Sequence, residues 1–73
     1  MDTYNAHALS EPLLDTRGAA ALLHLSPRTL EGWRADPRKQ PEHGAPPHLR
    51  LSRGAIRYRP SDIQAWLDRV AVA

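Results

Sequence analysis

With 73 residues, of which 41% are hydrophobic and 25% charged, the chain has room for one small domain of ordinary globular composition, and too little for an enzyme with its own substrate pocket. The absence of Cys excludes disulfide staples and thiolate zinc sites, and the longest apolar run, residues 18–23, is far shorter than the roughly 20 residues that span a bilayer. The net charge of +2 is unevenly distributed, since residues 1–16 sum to −3, residues 17–59 to +6 and residues 60–73 to −1.

The basic centre of the chain predicts a surface that faces a polyanion. A surface that is merely rich in arginine and faces solvent is the alternative interpretation at this point. No membrane contact is predicted.

The N-terminal residues 1–12 are polar and lack hydrophobic periodicity, so we predict a flexible tail followed by one domain over residues 13–73. The first seven residues contain neither the basic nor the apolar region of a secretory signal peptide. We therefore expect a cytoplasmic protein.

Two short helices are predicted next. Thr16 is the predicted N-cap of the first helix, which would cover residues 17 to about 24, with Leu13 or Leu14 packed back on its first turn. Ser26 is a strong N-cap for a second helix from Pro27 to about Ala35, because proline at the first helical position needs no N–H partner. Two short helices joined by so short a turn form a helix-turn-helix unit, which serves both DNA binding and plain scaffolding.

The second predicted helix has a buried and an outer side. Leu30 and Trp33 are three residues apart and define the buried side. The outer side is predicted to carry Arg28, Thr29, Glu31, Gly32 and Arg34.

The following segment, residues 36–47, contains four of the seven Pro residues, and no regular element is predicted there. Residues 48–52 and 55–59 then alternate apolar and polar residues on either side of Arg53-Gly54. This pattern predicts a β-hairpin with a two-residue turn, and a four-residue loop over 52–55 would keep the same faces.

The two-residue turn also predicts the register of the hairpin. The expected cross-strand pairs are Leu51 with Ile56, Leu49 with Tyr58, Arg50 with Arg57, and His48 with Arg59. Like charges directly across a ladder are destabilising, and a row of phosphates would compensate for this repulsion.

A last helix is predicted to begin around Pro60–Gln64, with Ser61 and Gln64 as a capping box. Its apolar positions form one complete stripe, Ile63, Trp66, Leu67 and Val70. The stripe docks this helix on the core, and the large aromatic side chains are expected to serve packing, namely Trp33, Tyr58 and Trp66.

Two motifs in this order suggest a family. Residues 13–34 contain two leucines, a helix with Ala-x-x-Leu, and then Ser-x-x-Thr-Leu-x-x-Trp, while residues 56–67 read Ile-Arg-Tyr-Arg-Pro-Ser-Asp-Ile-Gln-Ala-Trp-Leu. Over about residues 13–68 the chain resembles excisionase-family DNA-binding domains, which are related to the head of MerR-type regulators and to AlpA-like prophage regulators. The resemblance implies a mostly α fold with a small β-hairpin, a winged helix-turn-helix.

The chain departs from that family in two places. The segment 36–47 is longer and richer in Pro than the usual link before the wing. Because the chain ends soon after the last predicted helix, the coiled coil and effector domain of full MerR-type activators are not expected.

The resemblance implies that the second helix enters the major groove of double-stranded DNA and that the hairpin lies near the adjacent minor groove. Arg28 and Arg34 are then candidates for guanine contacts or phosphate clamps, and Thr29 for a phosphate contact. Glu31 would meet a cytosine amino group or orient an arginine, and Gly32 would let the backbone approach DNA or make room for helix packing. The further expected phosphate contacts are Arg17, the helix start at Ser26, Arg53 at the hairpin tip, and Arg50, Arg57 and Arg59 along the DNA backbone.

These residues predict a sequence-specific DNA-binding protein, associated with the nucleoid, of the excisionase type, which binds and bends attachment-site DNA together with an integrase. A small transcription regulator on the same fold is the first alternative, and a protein-interaction adaptor without DNA binding is the second. Cooperative self-association on repeated sites is expected.

Catalysis finds no support in the sequence, and no cofactor is predicted. His43 and His48 share one segment but lack Cys partners and ligand spacing, so no metal site is predicted either.

Overall fold

The computed structural model describes residues 11–72, which form three helices and a two-stranded antiparallel sheet and are mostly α. Most of the predicted N-terminal tail therefore lies outside the described residues. The helices are α1 (Thr16–Leu23), α2 (Pro27–Ala35) and α3 (Pro60–Val72), and the strands are β1 (Leu49–Ser52) and β2 (Ala55–Arg57). None of the helices within residues 11–72 has the length and apolar character needed to cross a membrane.

The first helix begins with Asp15 as its N-cap, so the prediction of Thr16 was wrong by one residue. The Asp15 side chain accepts a hydrogen bond from the Gly18 backbone N–H at 2.8 Å. Gly18 permits this contact, because a Cβ at that position would lie only 3.2 Å from Asp15 Oδ1. The helix ends at Leu23, and His24 follows as a C-cap in the left-handed region with φ 59°.

The second helix has the predicted bounds and cap. Ser26 Oγ accepts a hydrogen bond from the Thr29 backbone N–H at 3.2 Å, and Pro27 occupies the first helical position. Leu30 is almost fully buried and Trp33 is partly buried, which confirms the predicted inner side.

The proline-rich segment after α2 is more ordered than predicted. A single turn of 3-10 helix covers Pro37–Lys39, so the expectation that no regular element forms there was wrong. Asp36 caps this turn by accepting a hydrogen bond from the Arg38 backbone N–H at 3.0 Å, and Pro37 begins the turn because its ring is compatible with a first helical position.

Two side-chain hydrogen bonds, one from α3 and one from the segment itself, hold the rest of this segment against the helices. Trp66 Nε1 donates to the Gly44 carbonyl at 3.0 Å, and Gln40 Nε2 donates to the Trp33 carbonyl at 2.9 Å. These bonds satisfy backbone carbonyls that would otherwise need water.

The hairpin has the predicted two-residue turn but not the predicted register. Ser52 pairs with Ala55 across Arg53-Gly54, and Gly54 has φ 80°, which favours glycine. A β-bulge lies between Arg50 and Ser52, so the observed pairs are Leu49 with Arg57 and Arg50 with Ile56.

The bulge removes the predicted Arg50–Arg57 pair and leaves Leu51 59% exposed. The argument from like charges across the ladder therefore fails. Tyr58 lies beyond the end of β2 and pairs with Leu14 instead of Leu49, through backbone bonds of 2.9 and 2.7 Å. His48 and Arg59 lie outside both strands.

The start of α3 is not capped by the predicted Ser61–Gln64 box. The Glu11 carboxylate accepts hydrogen bonds from the Ser61 backbone N–H at 2.9 Å and from Ser61 Oγ at 2.8 Å, while Gln64 donates to Asp68 at 3.0 Å. A carboxylate at this position complements the positive end of the helix dipole as well as the free N–H.

The core lies where the three helices meet the hairpin. Its buried members come from the three helices, from β2 and from the residue that follows β2 in the bridge to Leu14, namely Ala19, Ala20, Leu30, Ile56, Tyr58 and Ile63. Trp66 is 6% exposed, and its ring centre lies 6.3 Å from that of Trp33. The predicted packing roles of Tyr58 and Trp66 are thus confirmed, and Trp33 packs against the same core from a partly buried position.

Candidate nucleic-acid interface

An open cleft of about 230 Å³ lies between the start of α1, the outer surface of α2 and the hairpin. We call it the hairpin cleft, and it is lined by Asp15, Thr16, Arg17, Glu31, Arg34, Gly54, Ile56 and Arg57. Four of the residues predicted to contact DNA meet here, although they come from three separate elements: Arg17, Glu31, Arg34 and Arg57.

Arg34 lies in the hairpin cleft in a different way from that predicted. Its side chain is partly buried, and Nη1 donates hydrogen bonds to Thr16 Oγ1 at 3.1 Å and to Tyr58 OH at 2.8 Å. We predicted Arg34 on the outer side of the helix, and in the structure it lines the open cleft while its guanidinium turns partly toward the core. Since both protons of Nη1 are engaged, the Nε and Nη2 protons are the ones left for a ligand, and together they form a planar fork.

The other two arginines of the cleft, Arg57 and Arg17, differ in how far their side chains are held by the fold. Arg57 is half-buried, and its Nη1 donates to the Ile56 carbonyl at 2.8 Å, whereas Arg17 is exposed. Among residues 11–72, neither of them nor Arg34 lies within 4 Å of a carboxylate. The cleft thus holds three cations that no carboxylate neutralises by direct contact.

A second open cleft, of about 380 Å³, lies on the other side of the exposed surface of α2. We call it the loop cleft, and it is lined by Arg28, Thr29, Glu31, Gly32, Trp33, Ala35 and Lys39. Lys39 is brought here by the 3-10 turn, and the sequence did not reveal this direction of the segment.

Gly32 faces the loop cleft. A Cβ at this position would meet only Lys39 Cδ, at an ordinary contact distance of 3.9 Å. The interpretation that Gly32 makes room for helix packing therefore has no contact to support it.

Glu31 lines both clefts and so stands between them on the exposed surface of α2. Its side chain makes no ion pair with any Arg or Lys of the described chain. The interpretation that Glu31 orients an arginine is thus not supported by a contact.

The other predicted contacts are separate from the two clefts or already engaged. Arg59 Nε forms an ion pair with Asp62 at 3.0 Å, and the Ser26 and Thr29 hydroxyls lie 3.0 Å apart and bond to each other. Arg50 and Arg53 are exposed on the hairpin and line neither cleft.

The pKa of one titratable group near the hairpin cleft is shifted. Partial desolvation, followed by the nearby charges of Arg34 and Arg50, lowers the pKa of His48 below its ordinary value of 6.5. The His48 ring centre lies 6.1 Å from that of Tyr58, the phenol that holds Arg34. Over residues 11–72, no three His, Cys, Asp or Glu side chains are grouped so as to hold a metal ion.

Comparison with protein-family models, with curated proteins and with solved structures gave no match for this chain. The chemistry of the two clefts therefore carries the functional argument.

Proposed function

We propose that this protein is a sequence-specific double-stranded DNA-binding protein with a winged helix-turn-helix fold. In this proposal α1 and α2 form the helix-turn-helix, and the β1–β2 hairpin is the wing. The observation that carries it is the meeting of Arg17, Arg34 and Arg57 in the hairpin cleft without a carboxylate partner.

Phosphates are the ligand that suits these arginines. The hairpin cleft is lined by three arginines and by two carboxylates, Asp15 and Glu31, so it carries an excess of positive charge, and such an excess destabilises the compact state. A polyanion removes that cost and releases its own counterions on binding, which drives association. The guanidinium fork matches phosphate geometry, and two of the three guanidinium groups are already held by the fold.

Placing α2 in the major groove would direct both clefts toward the DNA backbones. A major groove is about 12 Å wide and is bordered by one phosphate backbone on each side. Arg17, Arg34 and Arg57 would face one backbone, and Arg28 and Lys39 would face the other.

Within this class, we favour an excisionase-type factor that bends attachment-site DNA with an integrase. This choice comes from the resemblance of residues 13–34 and 56–67 to that family. A transcription regulator would use the same surface, and a neighbouring integrase gene with an attachment site would discriminate between the two.

The salt dependence of DNA binding tests the proposal. If five phosphates are contacted, log K falls with log salt at a slope of roughly −4.5, so affinity drops several hundredfold between about 50 and 200 mM salt. The measurement is a fluorescence-anisotropy titration of labelled duplex DNA at four salt concentrations. A flat response would contradict the proposal.

Arg57→Ala is expected to weaken binding to all duplexes about equally and to make the salt slope less steep by roughly one. Arg28→Ala is expected to relax discrimination between sites. Arg69→Ala is the matched control, because Arg69 is exposed on α3 and lines neither cleft, yet its loss removes the same charge. If the two variants give equal slopes of log K against log salt, then DNA does not bind at the hairpin cleft.

One observation favours the adaptor as a second candidate. An apolar groove of about 280 Å³ is lined by Leu23, Leu25, Trp33, Pro41, His43, Trp66, Leu67 and Val70. An adaptor would bind a partner through such a groove and would not retard duplex DNA in a gel at any salt concentration.

A further inference from the structure

One side chain in the exposed surface of α2 carries a negative charge, which is unfavourable for binding phosphates. Glu31 is exposed and lies between two sets of cations, Arg28 and Lys39 on one side and Arg17, Arg34 and Arg57 on the other. A carboxylate here is repelled by phosphates, and it makes no ion pair with any described Arg or Lys. On a DNA surface, such a carboxylate would be favourable only next to a group that donates hydrogen bonds.

We infer that Glu31 is a specificity-determining residue that accepts a hydrogen bond from the exocyclic amino group of cytosine in the major groove. The inference rests on the proposed function. Glu31 lines both clefts and so lies between the two sets of cations. With those cations on the two DNA backbones, its carboxylate would face the floor of the groove, where the base edges lie.

The chemistry of the base edges selects cytosine. An ionised carboxylate only accepts hydrogen bonds, and the donors in the major groove are the amino groups of cytosine and adenine. Adenine presents its N7 acceptor beside the amino group, which repels a carboxylate, and guanine presents two acceptors. Thymine offers an acceptor and a methyl group, so cytosine is the base that fits.

The neighbouring residues leave Glu31 room to reach the groove floor. Gly32 follows it without a side chain, and Thr29 is engaged locally with Ser26, so neither extends past the carboxylate. Arg34, which lies one turn further along α2, is turned toward Thr16 and Tyr58 and so does not neutralise Glu31.

The test is a binding-site selection from a randomised duplex pool with the complete 73-residue protein and its Glu31→Gln variant. Wild type is expected to select a cytosine that Glu31→Gln no longer requires, with discrimination at that position falling roughly tenfold. Random duplex DNA is expected to bind the variant more tightly, because a repulsive charge is gone, and the gain is expected to shrink as salt rises.

The control is Glu42→Gln, since Glu42 is also exposed and lines neither cleft. This variant loses the same charge and is expected to keep the wild-type base preference. Thermal unfolding of both variants checks that each is folded, and exposed positions of this kind are expected to change stability little.

A modified base gives a second, chemical readout on the selected duplex. Replacing the selected cytosine by N4-methylcytosine removes the amino hydrogen that points into the major groove, and wild type is expected to lose about tenfold in affinity. Glu31→Gln is expected to lose much less.

The outcomes separate the inference from the function on which it rests. If wild type binds duplex DNA but Glu31→Gln keeps the same base preference, the inference is overturned and the proposed function stands. If wild type retains no duplex in the selection, both are overturned.

Discussion

At the scale of single residues, Arg34 is held in place by two hydrogen bonds within the fold. Tyr58 is almost completely buried, and its hydroxyl accepts a hydrogen bond from Arg34 Nη1 at 2.8 Å, while Thr16 Oγ1 accepts the second at 3.1 Å. A buried phenol needs such a partner, and a charged donor makes the bond stronger than a neutral one. Because the guanidinium is already held, binding a phosphate costs less side-chain entropy than for a free arginine.

Tyr58→Phe is therefore expected to lower the free energy of unfolding by about 1–2 kcal/mol and to weaken DNA binding severalfold. The ring stays in the core, so the loss reports the hydrogen bond and not a cavity. Urea unfolding and the anisotropy titration measure the two effects. Thr16→Ser is the control, since it keeps a hydroxyl near Arg34; a Tyr58→Phe protein as stable as this control would contradict the role assigned to the phenol.

At the scale of elements, α2 has a well-capped first turn but contains a glycine that lowers the stability of its interior. Ser26 and Pro27 define its first turn, but Gly32 lies in its exposed half, where glycine lowers helix stability by roughly 0.5–1 kcal/mol relative to alanine. The structure offers no packing reason for glycine there. In the proposed DNA complex, a close approach of the α2 backbone to DNA would explain the absence of a side chain at this position.

Gly32→Ala is accordingly expected to raise the free energy of unfolding by roughly 0.5–1 kcal/mol while weakening DNA binding. We therefore expect stability to rise and DNA affinity to fall in the same variant. Urea unfolding measures the first change, and titration of duplex DNA measures the second. Gly18→Ala provides the matched comparison, because its Cβ would lie 3.2 Å from Asp15 Oδ1 and disturb the N-cap of α1, which lowers stability. A Gly32→Ala protein that binds DNA as wild type does would contradict the close approach.

At the scale of the whole molecule, the lowered pKa of His48 predicts that the stability of the fold depends on pH. Burial and the charges of Arg34 and Arg50 lower the pKa of His48, so the folded chain takes up a proton less readily than the unfolded chain. The unfolded state then binds more protons as the pH falls through about 6.5, and folding stability decreases on the acidic side. Bound phosphates act in the opposite direction, because they favour the protonated imidazole.

Lowering the pH from about 7.5 to 5.5 is thus expected to destabilise the free protein and to strengthen DNA binding, when each is compared with His48→Gln. Thermal unfolding and DNA titration across this range measure the two slopes, with the difference between the proteins isolating His48 from the other histidines. If stability and DNA affinity change with pH in the same way in both proteins, then His48 does not contribute to the pH dependence.

Local chemistry was enough to predict several elements of this protein. The start of α2 follows from Ser26 and Pro27, the two-residue turn from Gly54, and the docking side of α3 from its apolar stripe, because each depends on residues that are close in sequence. The basic centre of the chain and most of the candidate contacts were visible in the same way. The DNA-binding function inferred from them stays a prediction.

Only the tertiary structure decided how these pieces fit together. Glu11 forms hydrogen bonds with Ser61, which is 50 positions away in the sequence. Arg34 forms hydrogen bonds with Thr16 and Tyr58, which are 18 and 24 positions away. Local sequence patterns do not predict contacts over such distances. The bulge at Leu51 was likewise not predicted from the alternating sequence pattern, and it places Arg50 opposite Ile56 instead of Arg57. Sequence patterns report local conformational preferences, whereas the hairpin cleft exists because burial of Tyr58 and Ile56 draws α1, α2 and the hairpin together.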